Sequence, residues 1–271
     1  MSFLQRLTRT FRPTTALRAR QGGKTTTSNF FSPQPVHRIG LGQRFSSFYS
    51  YERNATQNRN ILYGIIGLNT GVFAYSAYLH VQAKQGFPGP WIRFYRNMTL
   101  NVHDVLKEGK WWTMITSVFN HAGILHLGFN MLTTYYLGGM VAAIPGITPL
   151  RFITIILGSG ISGSIGFLWL NTLKTKEPQN QRGSRQAQYT RGLGFSGAAT
   201  GLGVVAAFVY PKATMMIYGI VPAPLWLVML GFVAYDGYYM NDNNSKTAHA
   251  GHLGGAAFGF LYFLARMRGL R

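Results

Sequence analysis

The sequence predicts an all-α fold, a polytopic membrane protein built as one helical bundle, and three observations lead there. Only 12% of its 271 residues are charged, about half the share usual in a soluble domain. Those charges gather in loops and termini and leave long uncharged runs between them. Six of the runs, at about 61–80, 122–143, 148–171, 194–210, 213–235 and 249–266, are each near the roughly 20 residues needed to cross a bilayer.

Ahead of the first run lie fifty residues with no Asp or Glu and eight basic residues: Arg6, Arg9, Arg12, Arg18, Arg20, Lys24, Arg38 and Arg44. Phe3, Leu4, Leu7 and Phe11 recur at helical spacing with Arg6, Arg9 and Arg12 between them. An amphipathic, Arg- and Ser-rich, acid-free start is the pattern of a mitochondrial transit sequence, and it lacks the continuous apolar core of a secretory signal. A basic tail on the cytosolic face is the alternative. Arg44-Phe45-Ser46-Ser47 resembles a matrix-processing site, so cleavage is expected after Phe45. The domains are therefore a disordered basic leader over 1–50 and a membrane domain over 51–271.

The loop at 81–121 holds Trp91, Trp111 and Trp112. It is expected to be an amphipathic insertion at the membrane interface, where indole rings prefer to sit. The second and third runs are long enough to span. The polar stretch 172–193 connects the third run to the fourth. That fourth run is short and begins with glycines, which predicts a helix starting below the membrane surface. Irregular backbone at such depth is tolerated only beside protein or a watery cavity. An even count of spans puts both termini on one side and the loops 81–121, 172–193 and 236–248 on the other. The leader then places the termini in the matrix and those loops in the intermembrane space.

Composition also excludes. The absence of cysteine rules out disulfides, thiolate metal sites and a cysteine nucleophile. The formal net charge of +20 would suggest nucleic acid in a soluble chain. Here the basic residues sit in the leader and flank apolar runs, where cations meet anionic lipid headgroups. No nucleic acid partner is expected.

Polar side chains inside apolar runs are functional candidates by default. Ser196 lies in Gly194-Phe195-Ser196-Gly197, and His252 lies beside Gly251, Gly254, Gly255 and Gly259. A hydroxyl and an imidazole are the minimum for nucleophilic catalysis with an attached base. On helices, Thr200 and Gly203 share a face with Ser196, and Gly255 and Gly259 with His252; Gly197 and Gly201 add a further small pair. Small residues let membrane helices approach closely, which would bring hydroxyl and imidazole within hydrogen-bond reach. The acids Glu52, Asp104, Glu108, Glu177, Asp236 and Asp242 all fall in expected loops or tails. A Ser-His dyad is therefore the simpler expectation than a triad. His126 and Asn130 lie four residues apart in the second run. With the Ser196 backbone N–H they would form a corner able to hold a developing oxyanion.

At this point the residues resemble the rhomboid family of intramembrane serine proteases. His126, Asn130 and Leu137-Gly138-Gly139 match one motif, Gly194 to Gly197 a second, and Ala248 to Gly259 a third, across roughly 111–262. The resemblance implies a six-helix core with Ser196 as nucleophile and His252 as general base. It implies an oxyanion hole of His126, Asn130 and the Ser196 backbone, with Gly194, Gly197, Gly255 and Gly259 in support. His249 falls in the third motif, but the histidine followed by Leu-Gly-Gly with glycine seven residues on is His252; His249 is expected as a neighbour. Implied substrates are single-span membrane proteins, cut in or near the bilayer, with no cofactor or metal.

Two departures stand out. Many rhomboids carry Trp-Arg in the first loop, whereas Thr113 follows Trp112 here. Mitochondrial members usually have an extra amino-terminal span, and six are counted. The mitochondrial inner membrane is the expected location, with a secretory-pathway membrane as the alternative that glycans on Asn54 or Asn97 would favour. Two other functions compete: an idle scaffold that binds transmembrane clients, and a metal site of His121, His126, His249 and His252.

Overall fold

Helices account for most of the described residues, which in this computed structural model are 41–176, 189–217, 220–242, 245 and 247–269. Of the transit-like leader expected over 1–50, residues 1–40 lie outside them. The unit running from Gly42 to Arg271 carries everything below.

Helix α1 (Leu41–Lys84) begins before the leader boundary expected at residue 50. It buries one stripe, Asn58, Leu62, Asn69, Ser76 and Leu79, spaced one or two helical turns apart. Tyr63, Tyr75 and Tyr78 stay exposed on its other faces. The Asn58 amide donates to the carbonyls of Ala142 and Ile147 at 3.1 and 2.9 Å. A buried amide thus satisfies one carbonyl at a helix C-terminus and one in the loop that follows it.

The expected interfacial insertion is three short helices, α2 (Pro88–Asn97), α3 (Val102–Leu106) and α4 (Thr113–Thr116), followed by a 3-10 turn at Ser117–Phe119. Asn101 caps α3 by accepting from the N–H groups of His103 and Asp104 at 2.9 and 3.2 Å. Its amide donates to Thr190 O at 3.0 Å, tying this loop to the approach to Ser196.

Helices α5 (Ile124–Ala142) and α6 (Pro149–Thr175) follow. Thr148 caps α6, and Pro149 opens it where its missing N–H costs nothing. Helix α7 (Ser196–Val209) is short at 14 residues, about 21 Å of helix. By length and composition, Tyr49–Lys84 of α1 and all of α6 can cross a membrane; α7 is apolar but shorter.

The fifth expected span, 213–235, is corrected by the structure. Its first part is an antiparallel hairpin of β1 (Thr214–Ile217) and β2 (Val221–Pro224), with Thr214 opposite Pro224 and Ile217 opposite Val221. Pro222 and Pro224 lack the N–H that a helix interior needs. Helix α8 (Leu225–Tyr239) therefore starts only after Pro224 and runs on past residue 235. Helix α9 (His249–Arg266) closes the fold.

Glycine makes the centre of the bundle. Helix α9 packs most extensively on α6 and α7. A Cβ on Gly255 would fall on the Gly197 carbonyl oxygen, and one on Gly259 would stand 2.5 Å from Gly201 O. A Cβ on Gly163 would lie 2.7 Å from Gly251 O. Ser162 Oγ donates to Gly254 O at 2.8 Å across the same contact. Phe152, Ile155 and Ile156 of α6, Leu202 of α7 and Leu225 of α8 fill the surrounding core.

Gly255→Val is expected to destabilise the fold by more than about 3 kcal/mol, because backbone rather than a flexible side chain blocks the added atoms. Gly231→Val, at a position with open space around it, should shift stability by less than about 1 kcal/mol. Thermal unfolding in detergent compares the two, and equal midpoints would show that the glycine contact is not tight.

Candidate active site

The site is built at the start of α7. The chain reaches it through an antiparallel bridge in which Leu100 and Gly192 exchange two hydrogen bonds of 2.8 Å. Gly194 N–H then donates to Ser117 O at 3.0 Å. Gly194 has φ +126°, a region that favours glycine. A Cβ there would also meet the His126 ring at 2.8 Å, so the backbone turns hard against that imidazole. Phe195 is fully buried, and its N–H donates to His121 Nε2 at 3.4 Å. Burial, with His126 beside it, pushes the loop residue His121 down to about 4, so it is neutral and able to accept.

Ser196 is the first residue of α7, with its Oγ 2.8 Å from His252 Nε2 on α9. The free N–H groups and positive dipole end of α7 gather at the same point. Asn130 Nδ2 donates to His126 O at 2.9 Å on its own helix, and Ala122 N–H lies 3.4 Å from His126 Nδ1 as its donor. An Nδ1 that accepts leaves the neutral His126 proton on Nε2. That nitrogen stands 2.9 Å from where a Gly194 Cβ would be, with Asn130 Nδ2 at 3.9 Å.

A cavity of about 540 Å³ opens over these groups. Its polar lining includes His126, Asn130, Ser196, His252 and Arg191. Phe129, Thr133 and Leu137 of α5 face Val228, Met229 and Phe232 of α8 across its apolar part.

Asp236 departs from the expectation that every acid lies in a loop or tail. It sits within α8, 1% exposed. His252 Nδ1 lies 3.1 Å from both of its carboxylate oxygens, and His249 Nδ1 lies 2.6 Å from Oδ1. Ser245 Oγ meets His249 Nε2 at 2.8 Å. The imidazole beside Ser196 therefore has a carboxylate on its other nitrogen, which a bare dyad lacks. The sequence signal is faint: an acid immediately after the apolar run that ends at 235 and one turn before the helix ends at Tyr239. Ser245 carried no signal at all.

The four-histidine metal grouping does not form a single cluster. His121 stacks edge-on with His126 at 5.2 Å, whereas His249 and His252 turn to Asp236. Asp236, His249 and His252 do offer three ligand atoms within 4.8 Å of one another. A cation there would compete with the N–H groups that these bonds require.

The first loop is pinned by charge. Arg191 donates to Asp104 Oδ2 at 2.8 Å and to Thr99 Oγ1 at 3.1 Å. Arg96 and Lys110 pair with Glu108. Trp112 Nε1 donates to Asn97 Oδ1 at 3.2 Å, and Asn97 Nδ2 donates to Arg93 O at 2.9 Å. Burial alone would raise the Asp104 carboxyl, but the hydrogen bond and charge of Arg191, with Lys110 and Arg96, hold it below its ordinary value.

Comparison with known proteins gives a consistent result. Residues 108–269 match the Rhomboid domain. The chain is 28% identical over 221 residues to "RHOMBOID-like protein 12, mitochondrial" of Arabidopsis thaliana, covering 79% of this chain and 62% of that protein. It is 28% identical over 208 residues to "Rhomboid protein 1, mitochondrial" of Saccharomyces cerevisiae, covering 76% and 53%. A stretch of 63 residues, 23% of this chain and 12% of the relative, is 38% identical to "Rhomboid protease GluP" of Bacillus subtilis. The matches thus span a little over half the length of the two mitochondrial relatives.

A carboxyl depressed in the folded state stabilises above its ordinary value and stops doing so as pH falls through the folded one. The link from Asp104 to Arg191 should therefore persist at neutral pH and be lost below about pH 4. Asp104→Asn should loosen residues 98–110 at pH 7 to the degree acid does in the wild type, read by hydrogen exchange. Unchanged protection in the variant would contradict the anchor.

Proposed function

The chain belongs to the rhomboid family, and on that premise we propose that it is an intramembrane serine endopeptidase. The observation that carries the reading is the 2.8 Å contact of Ser196 Oγ with His252 Nε2 at the floor of the cavity. In the proposed reaction the Ser196 O–H passes its proton to His252 Nε2 as the oxygen attacks a peptide carbonyl. The tetrahedral oxyanion forms against the Ser196 backbone N–H, His126 Nε2–H and the Asn130 amide, donors aimed at charge that develops only in the transition state. His252 then returns the proton to the leaving amine, and water repeats the sequence on the acyl-enzyme. The roles of Gly194, Gly197, Gly255 and Gly259 are structural: they set the turn and the helix approach that bring these groups together.

The proposed substrate is a single-span membrane protein whose segment unwinds locally between α5 and α8, since those helices line the apolar part of the cavity. The proposed setting is a polytopic domain of six helices, α1 and α5 to α9, of which α7 is the short one. The mitochondrial names of two relatives and the acid-free leader support the mitochondrial inner membrane. No resident cofactor or metal is part of this reading, and lipid and substrate are its partners.

The idle-scaffold reading keeps the same fold without turnover. In proteoliposomes carrying a library of single-span substrates, Ser196→Ala and His252→Ala are each expected to abolish cleavage. Asn130→Ala should slow it by about 10²–10³ in kcat with folding intact. Wild-type cleavage persisting in Ser196→Ala would end the protease reading, and the absence of any cleavage by the wild type would favour the scaffold. Loss of activity on chelation would instead favour metal at Asp236, His249 and His252.

A further inference from the structure

The protease reading leaves one buried charge without a task. Asp236 is 1% exposed on α8, where an ionised carboxylate is expensive unless fully hydrogen-bonded. Two imidazoles supply its donors, and the hydrogen bonds around them fix every proton.

An ionised Asp236 offers only acceptors, so His249 Nδ1 holds the proton that it donates to Oδ1 at 2.6 Å. With its proton there, His249 accepts at Nε2 from the Ser245 hydroxyl at 2.8 Å, and the Ser245 oxygen in turn accepts from Thr247 N–H at 3.1 Å. The carboxylate, an acceptor only, faces His252 Nδ1 at 3.1 Å through both oxygens. His252 must then hold its proton on Nδ1 and present a bare Nε2 to Ser196 Oγ at 2.8 Å. Phe232 lies along the imidazole with ring centres 5.3 Å apart and limits its rotation.

We propose that Asp236, itself held by His249, is a positioning residue that fixes His252 in the tautomer a general base requires and stabilises the imidazolium formed during turnover. The proposal rests on the protease reading and replaces the expected dyad with a relay of Ser196, His252 and Asp236, backed by His249 and Ser245. Asparagine at 236 would remove the charge and could offer an N–H to Nδ1, which moves the His252 proton onto Nε2 and leaves no lone pair for the serine.

Asp236→Asn is expected to lower kcat by roughly 10³–10⁴, the range seen when a triad aspartate is made neutral, with KM within about twofold and the fold intact by thermal unfolding. Asp236→Glu should recover part of the loss, and His249→Gln should cost about tenfold in kcat. Because Asp236→Asn can fail to fold, the wild type supplies an independent reading. The ¹⁵N shifts of histidine-labelled protein should report His252 as the Nδ1–H tautomer. Wild-type kcat in Asp236→Asn, or His252 protonated on Nε2, would overturn the proposal while inactive Ser196→Ala and His252→Ala leave the protease reading standing. A wild type that cleaves nothing would remove the catalytic part of the proposal along with that reading, and the tautomer would still report whether Asp236 positions His252.

Discussion

The approach of two backbones governs this structure. Helices α7 and α9 meet where Gly255 lies on the Gly197 carbonyl and Gly259 on Gly201. Lipid tails are as apolar as leucine, so membrane helices associate through close packing rather than through exclusion of water. Ser196 is the neighbour of Gly197, and His252 lies one turn before Gly255. The contact that joins the helices therefore also sets the distance between hydroxyl and imidazole. Side chains at these glycines would push the two helices apart, and the reacting pair with them.

A second constraint acts from the loop side. The turn into α7 is held by backbone bonds to Leu100 and Ser117, and by Arg191 on buried Asp104. Gly194 meanwhile presses against His126. The first loop thus does more than rest at an interface: its polar groups fix the conformation of the residues just ahead of Ser196. Asp236 completes the arrangement from α8, so the groups around His252 come from three helices. Each is supplied with hydrogen-bond partners in a place where an unpaired polar group is costly.

Much of this was legible in the residues. Ser196, His252, His126 and Asn130 stood out because polar groups within apolar runs need a reason, and the glycines around them announced close packing. The short α7 was readable from its glycine-rich start. The hairpin before α8 was missed because an apolar window counts Pro222 and Pro224 as neutral, while a helix cannot contain them. Asp236 was missed because an apolar run ends where charge begins, whereas the helix continues to Tyr239. The pairing of Asp104 with Arg191 joins residues far apart in sequence, and no local pattern records such a contact. The early start of α1 was hidden beneath a leader read from composition.

The most direct measurement is the site of reaction with a fluorophosphonate, located by mass spectrometry and by a structure of the adduct in nanodiscs. The account predicts one phosphonyl group on Ser196 Oγ, its oxygen within hydrogen-bond reach of His126 Nε2 and the Ser196 N–H, and no labelling in His252→Ala. An adduct on another residue, or Ser196 and His252 found far apart, would contradict it.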